Sequence, residues 1–204
     1  MIHLSNATFS FDRAAILQSV SLNLVAGSLY YLTGRNGAGK TTLLEILAGL
    51  RTLDAGKYYE NFSRGKLFLG HRSGLSSNLT VQENIQFMMS VARDRETTTA
   101  PLDKQALDYF NISAFSDIPV RYLSAGQKRK VLLTWFLLSK RSVYLLDEPY
   151  TSLDDTSCRA LDSLILSKQA SGSTVIFTSH TTPGILDFEC LNLDGGRLAS
   201  TAEL

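Results

Sequence analysis

Gly34-Arg35-Asn36-Gly37-Ala38-Gly39-Lys40-Thr41 fits G-x-x-x-x-G-K-[ST] at every fixed position, and it does so where a strand pattern gives way to a helical one. Leu29-Tyr30-Tyr31-Leu32 precedes it, and Leu43, Leu44, Leu47 and Leu50 follow at helical spacing, the run ending near Gly49. Glycines let a backbone wrap around phosphate without Cβ collisions, so that successive N–H groups point inward and the helix N-terminus adds its positive dipole end. On this reading the main chain from Gly34 to Gly39, with Arg35, Asn36, Gly37 and Ala38 between, cradles phosphate. Lys40 reaches the β and γ phosphates, Thr41 holds Mg2+, and Thr42 is a further phosphate contact. The plain alternative is a glycine-rich turn with an incidental lysine, and the strand before and helix after weigh against it.

A phosphate loop needs a carboxylate to hold the metal. Val143-Tyr144-Leu145-Leu146-Asp147-Glu148 supplies one, because a buried strand ending in Asp sets that side chain at the carboxyl edge of a sheet. Asp147 is expected on Mg2+, directly or through water, and Glu148 is better placed to orient and deprotonate an attacking water.

The rest of the chain reads as an α/β protein with a mostly parallel central sheet flanked by helices. Residues 2–33 carry strand patterns in which Phe9 and Phe11 alternate with polar residues. A hairpin is expected around Gly56, and Lys66-Leu67-Phe68-Leu69 is a short strand. Between residues 71 and 140 the pattern turns helical. Thr80 and Glu83 form a capping box ahead of Ile85, Phe87, Met88 and Val91, residues 94–101 are a polar loop, and Ser124 caps a helix running toward Ser139. Apolar strands return at Val143-Tyr144-Leu145-Leu146 and Thr174-Val175-Ile176-Phe177 around a helix over residues 155–170. Asp194-Gly195-Gly196 then turns between two last short strands. The expected organisation is one domain over 1–204, with 1–70 and 141–204 as the core and about 71–140 as an inserted helical lobe.

Composition narrows the partners. With 20 Lys+Arg against 19 Asp+Glu, nothing argues for nucleic acid or an anionic membrane surface. A bilayer span needs about 20 apolar residues, and the longest run, residues 131–138, is interrupted by Thr134. Met1-Ile2-His3-Leu4 has no export-signal pattern, so the expected compartment is the cytoplasm. Cys158 and Cys190 stand apart with no CxxC or His-rich neighbourhood and read as reduced, mostly buried thiols.

Leu123-Ser124-Ala125-Gly126-Gln127 opens a helix ahead of Asp147 and resembles the signature motif of the ATP-binding cassette (ABC) ATPases. The resemblance runs along essentially the whole chain in the family's order. It implies the P-loop fold of that family, with an N-terminal antiparallel β subdomain and ATP and Mg2+ as ligands. It also implies a nucleotide-dependent head-to-tail homodimer in which Ser124 and Gly126 act in trans on the partner's nucleotide. Phe11 matches the aromatic that stacks on adenine, the alternative being a core phenylalanine. Ser152-Leu153-Asp154 looks like the loop that crosses the dimer interface, with Asp154 as its acidic member at the nucleotide site. Thr178-Ser179-His180 looks like the switch whose histidine contacts the γ-phosphate. One position departs: His71 stands where most members carry the glutamine that contacts Mg2+. An imidazole lacks an amide's combined donor and acceptor at that reach, which argues against metal contact at His71.

Leu69-Gly70-His71, Gly74-Leu75, Leu79-Thr80-Val81-Gln82-Glu83-Asn84 and Val120-Arg121-Tyr122-Leu123 are similar to the cytochrome c maturation (CcmA) subfamily. That resemblance implies an ATPase of a bacterial haem exporter, linked to release of haem-loaded chaperone. Its membrane subunits, of the CcmB and CcmC kind, are separate chains, and it sits on the cytoplasmic face of the inner membrane. No residue arrangement around His3, His71 or His180 marks a haem site. The rival readings are the nucleotide-binding subunit of another small exporter, a non-transport ABC ATPase, a regulatory module without turnover and a P-loop kinase. The short chain, intact Lys40, Asp147 and Glu148, and the stretch from Leu123 to Gln127 together with His180 weigh against the last three in turn.

Overall fold

The computed structural model describes residues 1–71, 73–92, 102, 104–180 and 183–198. The polar loop expected over residues 94–101 lies outside the described residues. In chain order the elements are β1 (Ile2–Phe11), β2 (Ala14–Leu24), β3 (Leu29–Thr33), α1 (Lys40–Ala48), β4 (Ala55–Glu60), β5 (Lys66–Leu69), α2 (Val81–Val91) and α3 (Lys104–Asp108). Then follow α4 (Ala125–Leu138), β6 (Val143–Leu146), α5 (Asp155–Ala170), β7 (Thr174–Phe177), β8 (Glu189–Asp194) and β9 (Arg197–Leu198). The chain forms two compact units.

The first unit holds Met1–Gly70, Arg141–Pro149 and the chain from Ile165 onward. A six-stranded sheet runs β5-β6-β7-β3-β8-β9, parallel throughout except for the terminal β8–β9 pair. All four residues of β6 and all four of β7 are buried, as central parallel strands covered on both faces require. A second, antiparallel sheet runs β2-β1-β4. Its inward residues Leu4, Leu17, Val20 and Leu24 share one core with Leu43, Leu44 and Leu47 of α1 and with Leu145 and Ile176.

Two expectations change here. Gly56 is not the tip of a hairpin but lies inside β4, opposite the irregular stretch of β1 between the Ser5↔Lys57 and Thr8↔Ala55 pairs. Phe9 is in the core while Phe11, the last residue of β1 before the turn at residues 12–13, is 57% exposed.

The second unit holds His71–Lys140 and Tyr150–Leu164. Its core gathers Val81, Ile85 and Met89 of α2 with Leu107, Ile112, Val120, Leu123 and Val131. Spacing of four residues puts 81, 85 and 89 on one stripe of α2, which leaves Phe87 and Val91 exposed. The expected capping box of Thr80 with Glu83 opens α2, and Ser124, expected as a cap, opens α4 in a full box with Gln127. Buried Asn84 organises the loop before α2, its Nδ2 lying 2.9–3.1 Å from the carbonyls of Ser76, Leu79 and Thr80. Both cysteines are free and half-buried, and no described helix is long and apolar enough to cross a membrane.

Candidate functional site

The loop that leaves β3 is shaped by its first glycine. A Cβ on Gly34 would lie 2.0 Å from the Leu193 carbonyl oxygen of neighbouring β8, so no other residue lets the loop leave the sheet here. The Ala38 N–H closes the turn on Arg35 O at 3.1 Å, and Arg35, Asn36 and Gly37 face solvent. Lys40 is buried and its ammonium bends back over its own loop, donating to Gly34 O at 2.7 Å and Arg35 O at 3.1 Å.

α1 starts differently from α2 and α4. Its N-cap is Gly39, which offers no side-chain cap, and its first turn carries no acidic residue, whereas α2 and α4 each have a complete capping box. The first-turn N–H groups of a helix have no intrahelical partners and favour an anion. Lys40, exposed Thr41 and half-buried Thr42 make up that turn. An uncapped helix end beside a buried lysine and an open glycine loop fits phosphate.

Beside it, β6 delivers Asp147, which is 3% exposed and therefore in need of partners. The Thr41 hydroxyl donates to Oδ2 at 2.8 Å, and the Thr178 hydroxyl donates to Oδ1 at 2.9 Å. Glu148 follows in the left-handed region, φ +50°, uncommon for a residue with a side chain. Its N–H donates to Thr178 Oγ1 at 2.8 Å, and its carboxylate accepts the His180 N–H at 3.0 Å and faces His180 Nε2 at 3.3 Å. Thr41, Asp147, Glu148 and His180 are thus joined by one run of hydrogen bonds through Thr178. The Tyr31 hydroxyl extends the run, donating to Ser179 O at 3.1 Å. Burial, and then the charge of Glu148, push the Tyr31 phenol above its ordinary value, which keeps it a donor.

The oxygen set suits magnesium. Mg2+ takes one or two carboxylates plus substrate phosphates rather than an all-protein cage. Asp147 supplies one carboxylate and Thr41 one hydroxyl, which leaves the remaining positions to phosphate and water.

In the second unit, Ser124 Oγ accepts the Gln127 N–H at 3.2 Å, and its own N–H donates to Gln127 Oε1 at 2.8 Å. Ser124 is therefore a helix cap in this structure, with its side chain exposed at the start of α4. Gly126 is half-buried against the loop before α5: a Cβ would lie 2.5 Å from the Ser152 carbonyl oxygen. Asp154 caps α5 through Ser157 N at 2.8 Å and pairs with Lys130 Nζ at 2.7 Å.

The sequence pattern that defines the ABC transporter family matches residues 17–151, about two thirds of the chain. This chain belongs to the ABC transporter family. It is an ATPase of that family, and it is 37% identical over 190 residues to the cytochrome c biogenesis ATP-binding export protein CcmA of Vibrio cholerae, covering 88% of this chain and 91% of the relative. The CcmA of Saccharophagus degradans is 32% identical over 197 residues, covering 90% and 88%. Among solved structures, the ATP-binding subunit of an ABC transporter superposes with a TM-score of 0.84 at 20% identity, covering 98% of this chain and 88% of that one. A dimeric bacterial ABC transporter cassette gives 0.82 at 22%, covering 98% and 97%, and a post-hydrolysis state of that cassette bound to ADP and Pi gives 0.81.

For this ABC ATPase the fold expected from the sequence holds: an antiparallel N-terminal sheet, a central sheet rich in parallel pairs, and the phosphate loop between β3 and α1. The exposure of Phe11 removes its core alternative. His71 opens the second unit with its side chain in solvent. Sequence reasoning gave no role to Tyr31 or Lys130 and quoted Thr178 only within the stretch that leads to His180. A hydroxyl directly after the apolar run Val175-Ile176-Phe177 is the one signal that could have drawn attention to Thr178.

Proposed function

We propose that this ATPase hydrolyses ATP between the phosphate loop and the Asp147-Glu148 pair to drive a haem exporter of the cytochrome c maturation kind. The carrying observation is the continuous hydrogen-bonded set Thr41, Asp147, Thr178, Glu148 and His180 beside an uncapped helix end. Lys40 gives up the carbonyls of Gly34 and Arg35 for oxygens of the β and γ phosphates, a short swing of an ammonium already over the loop. The main chain of Gly34, Arg35, Asn36, Gly37, Ala38 and Gly39 and the first-turn amides, with Thr42, hold the remaining oxygens. Thr41 and Asp147 hold Mg2+, which when bound neutralises phosphate charge. Glu148 orients the attacking water and accepts its proton, and His180 reaches toward the γ-phosphate. Phe11 stacks on the base.

Ser124, Gly126 and Asp154 complete the site of a second copy in a head-to-tail dimer that forms with ATP bound. Separate transmembrane subunits of the CcmB and CcmC kind supply the channel, and this chain docks on them at the cytoplasmic face of the bacterial inner membrane. The similarity to CcmA proteins over most of the chain supports this assignment. Glu148→Gln is expected to keep ATP binding, accumulate the ATP-bound dimer in size-exclusion chromatography and nearly abolish phosphate release. Undiminished phosphate release would remove Glu148 from the chemistry. Purification from detergent-solubilised membranes should bring down haem-handling membrane subunits, and a different permease in their place would replace the haem assignment.

A further inference from the structure

We infer that Thr178 is a positioning residue for hydrolysis, one hydroxyl that sets both the rotamer of Asp147 and the backbone turn of Glu148. The inference rests on the hydrolytic reading of this site. Thr178 is fully buried at the end of β7, and its backbone is already secured, its N–H donating to Leu146 O at 3.0 Å. Asp147 is secured in the same way, its N–H donating to Leu69 O at 2.8 Å. The strands therefore do not need the Thr178 side chain to stay paired. What the hydroxyl adds is directional: its single proton goes to Asp147 Oδ1 at 2.9 Å, which leaves a lone pair for the Glu148 N–H at 2.8 Å.

Those two bonds act on different features of the site. On Asp147, the bond to Oδ1 leaves Oδ2 directed to Thr41, the other oxygen ligand expected on the metal. On Glu148, the bond holds the amide of a residue at φ +50°, a conformation that side-chain-bearing residues leave readily unless neighbours hold it. From that turn the Glu148 carboxylate meets both the N–H and the ring of His180, two residues beyond Thr178. A β-branched side chain is stiff at χ1, so a buried threonine delivers its hydroxyl with less freedom than serine. The expected metal ligand and the proton acceptor are thereby kept in register by one fully buried hydroxyl.

The test compares Thr178→Val, Thr178→Ser and Glu148→Gln with the wild-type chain. Readouts are kcat and KM for ATP, thermal melting, and affinity for a non-hydrolysable ATP analogue with and without Mg2+. Thr178→Val keeps the shape and removes the hydroxyl. Groups that orient a metal ligand are worth about 10–100-fold, so kcat should fall by that factor and the Mg2+-dependent gain in analogue affinity by about tenfold. KM should rise by no more than the Mg2+-dependent affinity falls, and the metal-free affinity should be unchanged. Thr178→Ser should restore most of kcat. If Thr178→Val does not fold, Thr178→Cys takes its place with the same expected outcome. A kcat within about twofold of wild type in the variant lacking the hydroxyl, or a loss that serine does not restore and that follows the melting temperature, overturns the inference. Undiminished turnover in Glu148→Gln would remove Glu148 from the chemistry and overturn this inference on that separate ground, whatever Thr178→Val does.

Discussion

Lys130 Nζ lies 2.7 Å from Asp154 Oδ2, while Oδ1 of the same carboxylate accepts the Ser157 N–H at 2.8 Å, so one side chain ties α4 to the start of α5. The hydrogen bond from Lys130, followed by that from the Ser157 amide, holds Asp154 well below the usual carboxylate range. A carboxylate so lowered contributes stability that is complete above its unfolded value, near 3.8, and is lost as pH falls toward the folded one. Lys130→Met should therefore be less stable than wild type at pH 7, by less than about 1 kcal/mol for a pair this exposed. The gap should narrow progressively below that unfolded value. Urea denaturation at stepped acid pH reads this directly, and a gap that stays constant with pH would show that the lysine acts by packing alone.

Gly126→Ala is expected to displace the loop around Ser152. The added Cβ would sit 2.5 Å from the Ser152 carbonyl oxygen, and Ser152 already holds a left-handed backbone at φ +64°. Forcing a methyl into backbone costs about 1–3 kcal/mol. Because the phosphate loop is in the other unit, ATP binding to the monomer should survive while turnover drops. Equilibrium binding and phosphate release on the same preparation separate the two, and equal loss of both would contradict the argument.

What could be read in advance was local. The capping box at Thr80, the helix cap at Ser124, the apolar runs of β6 and β7 and the glycine loop before Lys40 are each encoded within a few residues, and each forms where expected. The irregular stretch of β1 was not legible, because it arises from pairing with β2 and β4, and it decides the place of Gly56. The faces of α2 were ambiguous for another reason: apolar residues occur on both, and only tertiary packing chose the stripe of Val81, Ile85 and Met89. The Glu148–Thr178 and Lys130–Asp154 contacts join residues 30 and 24 positions apart. Motif spacing brings such residues to the same sheet edge or helix end but does not say which hydroxyl or ammonium meets which carboxylate.

Tyr31→Phe should slow turnover with little effect on folding. The ring stacks on Phe177 at 5.1 Å between centroids, and phenylalanine keeps that contact. Lost is the donor to Ser179 O, the carbonyl immediately before the His180 N–H that holds Glu148. One neutral hydrogen bond contributes about 1 kcal/mol to stability. A several-fold fall in kcat with KM unchanged is expected, and steady-state kinetics with a melting curve decide it. A raised KM at constant kcat would assign Tyr31 to nucleotide binding.

Alkaline stability should depend on Tyr58. Its hydroxyl donates to the Glu60 carboxylate, which also takes Lys66 Nζ at 2.6 Å. Burial first, then the hydrogen bond to Glu60 and the Glu60 charge, push this phenol far above its ordinary value of 10.0. Tyr31 and Tyr109 are raised as well, chiefly by burial. A group raised on folding contributes stability that is fully present below its unfolded value and is lost as pH rises toward the folded one, since the unfolded chain then releases the proton first. Wild type should thus lose stability steadily above about pH 10. Tyr58→Phe should start about 1 kcal/mol lower at pH 8 for the lost hydrogen bond, yet fall less steeply above pH 10, with Tyr31, Tyr109 and the Cys158 thiol, also raised by burial, supplying the remaining slope. Urea midpoints at pH 8, 9, 10 and 11 give both slopes, and identical slopes would mean that Tyr58 ionises equally in the folded and unfolded chains.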